Sequence, residues 1–266
     1  MRGPKKQGRW GDLPKRMASA LIMLGVGFVE IWLGGVTFAA LVVILTGLMM
    51  WELARMQNPR ALWVPIGLGV LASAALLALL YAPPLLRPAL MVLPPLACLG
   101  ALRHRKVAMV YALAIMLAGY TLIDLRSIAG TVVIVWLITI VVASDVMGYF
   151  VGRSLGGPKF WPRVSPNKTW SGTIAGWVGA AVVGAIFVML ENEPWQLIPL
   201  SAVVALAAQL GDIAESWIKR RAEVKDSSSL IPGHGGLLDR FDGLIGAVVA
   251  IMLLSLLFPL PIPDSL

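Results

Sequence analysis

The chain has 266 residues, of which 58% are hydrophobic and only 14% charged, and its mean hydropathy is +0.83. A soluble domain of this size carries roughly a quarter charged residues, so a single aqueous core is excluded and an all-α polytopic membrane protein is expected. The formal net charge of +8 does not indicate a nucleic-acid partner, because the bases are sorted among loops and not gathered into one patch. A lone cysteine, Cys98, sits in an apolar run, which excludes an intrachain disulfide and a thiolate metal site.

Residues 1–16 form a basic leader with Arg2, Lys5, Lys6, Arg9, Lys15 and Arg16. No Ala-x-Ala-like cleavage site closes the apolar run that follows, so that run is expected to be a retained first span. About nine apolar segments can be drawn, near 17–33, 36–53, 61–81, 86–102, 107–123, 129–150, 170–190, 196–216 and 241–260. Their unbroken apolarity, without alternation, predicts helices. With the N-terminus in the cytoplasm, this count places all 22 Lys and Arg except Arg87 and Arg126 on the inner side, as the positive-inside rule requires. The C-terminus is then periplasmic. Residues 1–128 hold few polar groups and read as a transmembrane scaffold serving dimer contact or lipid access. Residues 129–266 read as the catalytic region of the same membrane unit.

Four polar features stand out in the second half. Asp145 lies within the sixth span, where an acid is costly and a functional role is the default; an ion pair with Arg153 or another inside-facing base is the structural alternative. Gly148 and Gly152 follow at four-residue spacing, a smooth strip on which another helix can pack closely. Ser165, Asn167, Lys168 and Thr169 precede the seventh span, a plausible anion site because exposed N–H groups and the helix dipole favour negative charge there. On the eighth segment Asp212, Glu215, Ser216 and Lys219 recur every three or four residues, and so share one helix face.

The longest polar interruption runs from Ser216 to Asp242. Lys219, Arg220, Arg221, Lys225 and Arg240 can neutralise phosphate oxygens, and Asp226, Asp239 and Asp242 offer the hard oxygens Mg²⁺ prefers. The run Pro232-Gly233-His234-Gly235-Gly236 lets backbone approach a ligand closely. Loops that only fix topology need bases, but neither aspartates nor a glycine cluster. Asp239 and Asp242 share a face at the start of the ninth segment, where the helix dipole stabilises carboxylates. With Asp212 they make a reasonable cage for a cation bridging phosphates; a purely structural ion-pair network is the alternative. His234 is read as shaping its loop or touching phosphate.

This stretch resembles the signature of the phosphatidate cytidylyltransferase (CDP-diacylglycerol synthase) family. It matches at Ser216, Lys219-Arg220, Lys225-Asp226, His234-Gly235-Gly236, Asp239-Arg240 and Asp242. The segment from Asp145 through Tyr149 to Gly152-Arg153 is similar to another family segment. Ser165-Pro166-Asn167-Lys168-Thr169 is similar to a third, departing at Asn167, where a second lysine is common, and at Ser171, where an acid is common.

The resemblance implies transfer of CMP from CTP to phosphatidic acid, giving CDP-diacylglycerol and pyrophosphate, with Mg²⁺ as cofactor. A second divalent or a monovalent cation is left open. It implies catalytic positions at Asp212, Lys225, Asp226, Asp239 and Arg240. Substrate contacts are expected from Asp145, Ser165, Asn167, Lys168, Thr169, Ser216, Lys219, Arg220, His234, Gly235 and Gly236. The metal is expected on Asp212 and Asp239, with Asp242 and Asp145 as further candidates for direct or water-mediated ligation. A homodimer in a bacterial inner membrane, with its site facing the cytoplasm, is implied by the family alone. Another lipid- or polyprenyl-phosphate transferase shares this physics. A transporter of anionic solutes would instead place its charges near the midplane, between inverted repeats.

Overall fold

The computed structural model of the protein describes residues 13–263. The basic leader up to residue 12 and the last three residues, with the expected sidedness of both termini, lie outside the described residues. The chain is predominantly helical: α1 (Leu13–Leu33), α2 (Gly35–Gln57), α3 (Trp63–Tyr81), α4 (Arg87–Ala101), α5 (Arg105–Ile128), α6 (Gly130–Leu155), α7 (Trp170–Leu190), α8 (Leu197–Arg221) and α9 (Leu238–Ser255). Helices α2, α3, α5, α6, α7 and α8 are long and apolar enough to cross a membrane. The apolar part of α1 and the 15-residue α4 are shorter, and α9 opens on Asp239, Arg240 and Asp242. The all-α expectation needs one amendment. Between α6 and α7 lies a small antiparallel hairpin, β1 (Lys159–Trp161) and β2 (Ser165–Thr169), with Lys159 opposite Thr169 and Trp161 opposite Ser165. Pro158, Pro162 and Pro166 deny this connection a helix.

Helices α2 to α5 pack as one neighbourhood and α6 to α9 as another, joined where α5 lies against α9. Met50, Leu53, Leu76, Ile115, Met116, Trp136 and Leu137 are wholly buried in the shared core. Several polar groups inside are partnered across helices. Trp136 Nε1 donates to Ser201 Oγ at 3.1 Å. Gln209 donates to Ser144 Oγ and to the Thr173 carbonyl, and accepts from Trp177 Nε1. In hydrocarbon, where water cannot substitute, such pairing is required.

The base-rich connections gather at one end of the bundle. Asn58 donates to the Ala101 carbonyl at 2.6 Å, His104 N to Gln57 Oε1 at 3.1 Å, and the His104 ring meets the Arg221 carbonyl at 3.1 Å. Lys168, from the hairpin, reaches Asp212 near the end of α8. Arg126, one of the two exceptional bases, has a local use at the other end, where its guanidinium donates to the Ile31 carbonyl at 3.1 and 3.3 Å and so serves the otherwise orphaned end of α1.

Two close crossings set the second half. Gly148 and Gly152 of α6 meet Gly172 of α7, as the glycine spacing anticipates. More consequential is the crossing of α8 and α9 at Gly211 and Gly246. A Cβ on Gly246 would collide with the Ala207 carbonyl and approach the Gly211 backbone at 2.9 Å; one on Gly211 would strike the Asp242 carbonyl. Backbone contact at this point fixes the separation of the acids on the two helices. Gly246→Ala should therefore destabilise by about 1–3 kcal/mol, the usual range for overpacking, read as a lowered Tm in detergent. Gly100→Ala, whose added methyl meets nothing within 4 Å, should leave the Tm unchanged or raised.

Candidate active site

The polar stripe of α8 runs into the base-rich end of the bundle. There Asp212, Glu215 and Asp242 each place a carboxylate oxygen within 4.8 Å of the others. Glu215 is fully buried and Asp212 one-third exposed. Three carboxylates this close repel unless compensated, and two lysines do so. Lys168 Nζ lies 2.5 Å from Asp212 Oδ2 and donates to the Gln209 carbonyl at 3.3 Å. Lys219 pairs with Glu215 and, at 2.7 Å, with Asp239 Oδ1. Ser216 Oγ donates to Asp212 Oδ1 at 3.4 Å, and Asp242 Oδ1 accepts from the Gly243 N–H at 2.7 Å.

The donor set suits a hard divalent cation. All three groups are carboxylates, one helix presents two of them and a second helix the third, and Glu215 Oε1 is buried without a hydrogen-bond partner. Asp239, expected among the ligands, is occupied otherwise. Besides Lys219, it accepts from Ser227 N at 2.9 Å, Ser227 Oγ at 3.0 Å and Gly236 N at 2.8 Å. It reaches back from the first turn of α9 to donors that precede the helix, in the manner of a capping box. Glu215, which lies on the α8 stripe, fills the place expected for Asp239 in the acidic group.

Past Arg221 the chain turns back sharply. Val224 N donates to the Lys219 carbonyl and Glu223 N to that of Arg220, a Schellman closure with Glu223 in the left-handed region at φ 59°. The exposed Lys225 and Asp226 follow this closure. Neither Arg220 nor Lys225 lies within 4 Å of a carboxylate among the described residues. Arg221 instead stacks on Trp217 at 4.9 Å. The glycine cluster folds over as a tight turn, Ile231 N donating to the Gly235 carbonyl at 2.8 Å and His234 N to that of Ile231 at 3.0 Å. Arg240 holds the turn through the His234 carbonyl at 2.6 and 3.1 Å, and His234 Nδ1 is buried without a partner. Gly235, at φ 84°, leaves no room for a Cβ, which would lie 2.9 Å from Asp239 Oδ2.

The remaining expected residues are distributed around this centre. Thr169 caps α7, its Oγ1 accepting from Gly172 N at 3.2 Å; Ser165 and Asn167 sit on β2, with Asn167 exposed. Asp145 is exposed on α6, within the electrostatic reach of Asp212 and Lys168. Arg153, one turn beyond Tyr149, donates to the Tyr149 hydroxyl at 3.4 Å.

The profile of the cytidylyltransferase family matches residues 14–258. The chain belongs to that family. Proteins named phosphatidate cytidylyltransferase are similar over part of it: 41% identity across 157 residues in Brucella suis (56% of this chain, 58% of that protein), 40% across 132 in Bacillus subtilis (48% and 49%) and 44% across 118 in Helicobacter pylori (44% of each). The matched stretch thus spans about half the length of these curated relatives.

Two residues of this cytidylyltransferase-family chain escape a reading by spacing. Glu52, on α2, is wholly buried against the signature loop. Tyr111, on α5, is buried with its hydroxyl unpartnered and feels the charges of Glu215, Asp242, Asp212 and Asp239. The only signal for Glu52 was an acid inside an apolar segment, and Tyr111 offered none. Asp242→Asn should weaken Mn²⁺ binding by more than about 10-fold, a cost already typical of losing a supporting partner, in an EPR titration of the purified protein. Asp124→Asn, on α5 and outside the acidic group, should bind as the parent does.

Proposed function

We propose that this protein transfers CMP from CTP to phosphatidic acid, releasing pyrophosphate and leaving CDP-diacylglycerol in the membrane. The observation that carries the reading is the group Asp212, Glu215 and Asp242, flanked by Lys168 and Lys219, on a chain matched by the cytidylyltransferase profile over residues 14–258. CTP and phosphatidate are both polyanions, so bringing them together demands concentrated positive charge beside an apolar surface for acyl chains. Spanning helices supply the surface and the base-rich end supplies the charge.

A phosphatidate oxygen is the nucleophile and attacks the α-phosphorus of CTP, while the bond to the β-phosphate oxygen breaks and pyrophosphate departs. No protein nucleophile is needed, because phosphatidate is already anionic at neutral pH; catalysis rests on positioning and electrostatics. Asp212, Glu215 and Asp242 are the residues that would hold Mg²⁺, which when bound neutralises charge on the triphosphate. Arg220 and Lys225, free of carboxylate partners among the described residues, bind the β- and γ-phosphates and stabilise the leaving group. Lys168 and Lys219 keep the carboxylates from splaying apart. Asp239 orients Lys219 and the backbone of the glycine turn, and His234 shapes that turn through its carbonyl, which accepts from Arg240. A homodimer in a bacterial inner membrane, with the base-rich end toward the cytoplasm, is the setting consistent with the relatives' bacterial origin.

With phosphatidate and Mg²⁺, label in the α-phosphate of CTP should pass to the lipid phase and label in the γ-phosphate should leave as pyrophosphate. Replacing phosphatidate by diacylglycerol should abolish both. Asp239→Asn should fold and lose roughly 10²–10³ in kcat, the cost of disturbing one preorganised electrostatic group. Transfer of α-label to diacylglycerol, or undiminished turnover by Asp239→Asn, would reject the assignment.

A further inference from the structure

Glu52 lies in the half of the chain that reads as scaffold, yet among the described residues the hydrogen bonds of its carboxylate all reach the other half. Its side chain is wholly buried. Oε1 accepts from Ser228 Oγ at 2.5 Å and Leu237 N at 2.9 Å; Oε2 accepts from Leu238 N at 2.6 Å and Ser227 Oγ at 3.3 Å. These four donors are the two ends of one loop, residues 227–238, which contains the glycine turn and His234. Leu237 N and Leu238 N are unpaired donors at the start of α9, whose N-cap residue makes no side-chain bond of its own. Glu52 therefore caps α9 from another helix and pins the start of the loop to its finish.

Two further observations tie this clamp to the candidate active site. Gly236 is buried so closely that a Cβ there would strike Ser227 Oγ and lie 2.7 Å from Glu52 Oε1 and 2.9 Å from Ser228 N. The glycine of the signature is thus required by Ser227 and the acid on α2 together. Ser227 has one hydroxyl proton and sits between two carboxylates, 3.3 Å from Glu52 Oε2 and 3.0 Å from Asp239 Oδ2, while its N–H donates to Asp239 at 2.9 Å. From Asp239 the chain of contacts continues through Lys219 to Glu215 and the acidic group. A buried carboxylate is expensive unless its acceptors are filled. Filling these four requires the loop to hold one conformation.

We propose that Glu52 is a positioning residue for the transfer reaction, fixing residues 227–238 and, through Ser227, the orientation of Asp239 and Lys219. The proposal rests on the transferase reading above. It makes α2 part of the machinery without contact to either substrate. Gln in its place keeps the shape but replaces one acceptor oxygen by a donor, so two of the four donors lose their partner.

The test uses the full chain in lipid nanodiscs. For Glu52→Gln, deuterium uptake should rise across residues 227–238 while α6 and α7 keep the parent's uptake. Its kcat should fall about 10–100-fold, as for loss of a supporting partner, with KM for phosphatidate unchanged. Unaltered loop uptake with parental kcat overturns the proposal. So does a rise in uptake spread evenly over all helices, which is the mark of general destabilisation. If Glu52→Gln does not fold, Ser228→Ala decides, since it removes one donor only: faster loop exchange and reduced kcat support the clamp, and parental values of both overturn it. Failure of the parent to label lipid would sink the transferase reading instead, and the exchange arm would still report whether Glu52 holds the loop.

Discussion

Three carboxylates held within 4.8 Å of one another form an arrangement that would fly apart if left to itself. With Glu215 buried, the repulsion is screened less than in bulk water, since Coulomb energy grows as the local dielectric falls. Everything near the base-rich end of the bundle can be understood as holding that group together. The backbone contact of Gly211 with Gly246 sets the distance between α8 and α9. Lys168, delivered by the hairpin, and Lys219, one turn beyond Glu215, supply opposing charge. The hairpin, which looks incidental in an otherwise helical chain, is what carries Lys168 to Asp212.

Removing any one partner from such a network leaves a charge buried without compensation, which costs more than the intact pair contributes. The network is therefore brittle by construction, and it is poised to respond to an incoming polyanion and cation. A ligand carrying its own charges can take over contacts that the lysines and carboxylates otherwise make with each other. This is a physical reason for lysine–carboxylate pairs to line a site whose substrates are phosphates.

Much of this was legible in the chain. Spacing placed Asp212, Glu215, Ser216 and Lys219 on one face of α8, and hydropathy gave a segment near each helix. The small-residue strip at Gly148 and Gly152 marked the α6–α7 contact. Other features were not legible, for reasons that are physical. Spacing says which residues share a helix face but not which of two neighbouring acids turns inward, so Asp239 and Asp242 could not be told apart; Asp239 is drawn away by Ser227 and Gly236. Glu52 is 175 residues distant from Ser227, and no local pattern encodes a partner so far along the chain. The hairpin was hidden because its strands are short and rich in proline, outside any periodic signal.

The account stands or falls on where a divalent cation goes. Anomalous diffraction at the manganese edge, from crystals grown with Mn²⁺ and CTP, locates it directly. The prediction is a peak among the carboxylates of Asp212, Glu215 and Asp242, with the triphosphate running toward Arg220 and Lys225. A peak seated on Asp239 or Asp226, away from that group, would contradict it.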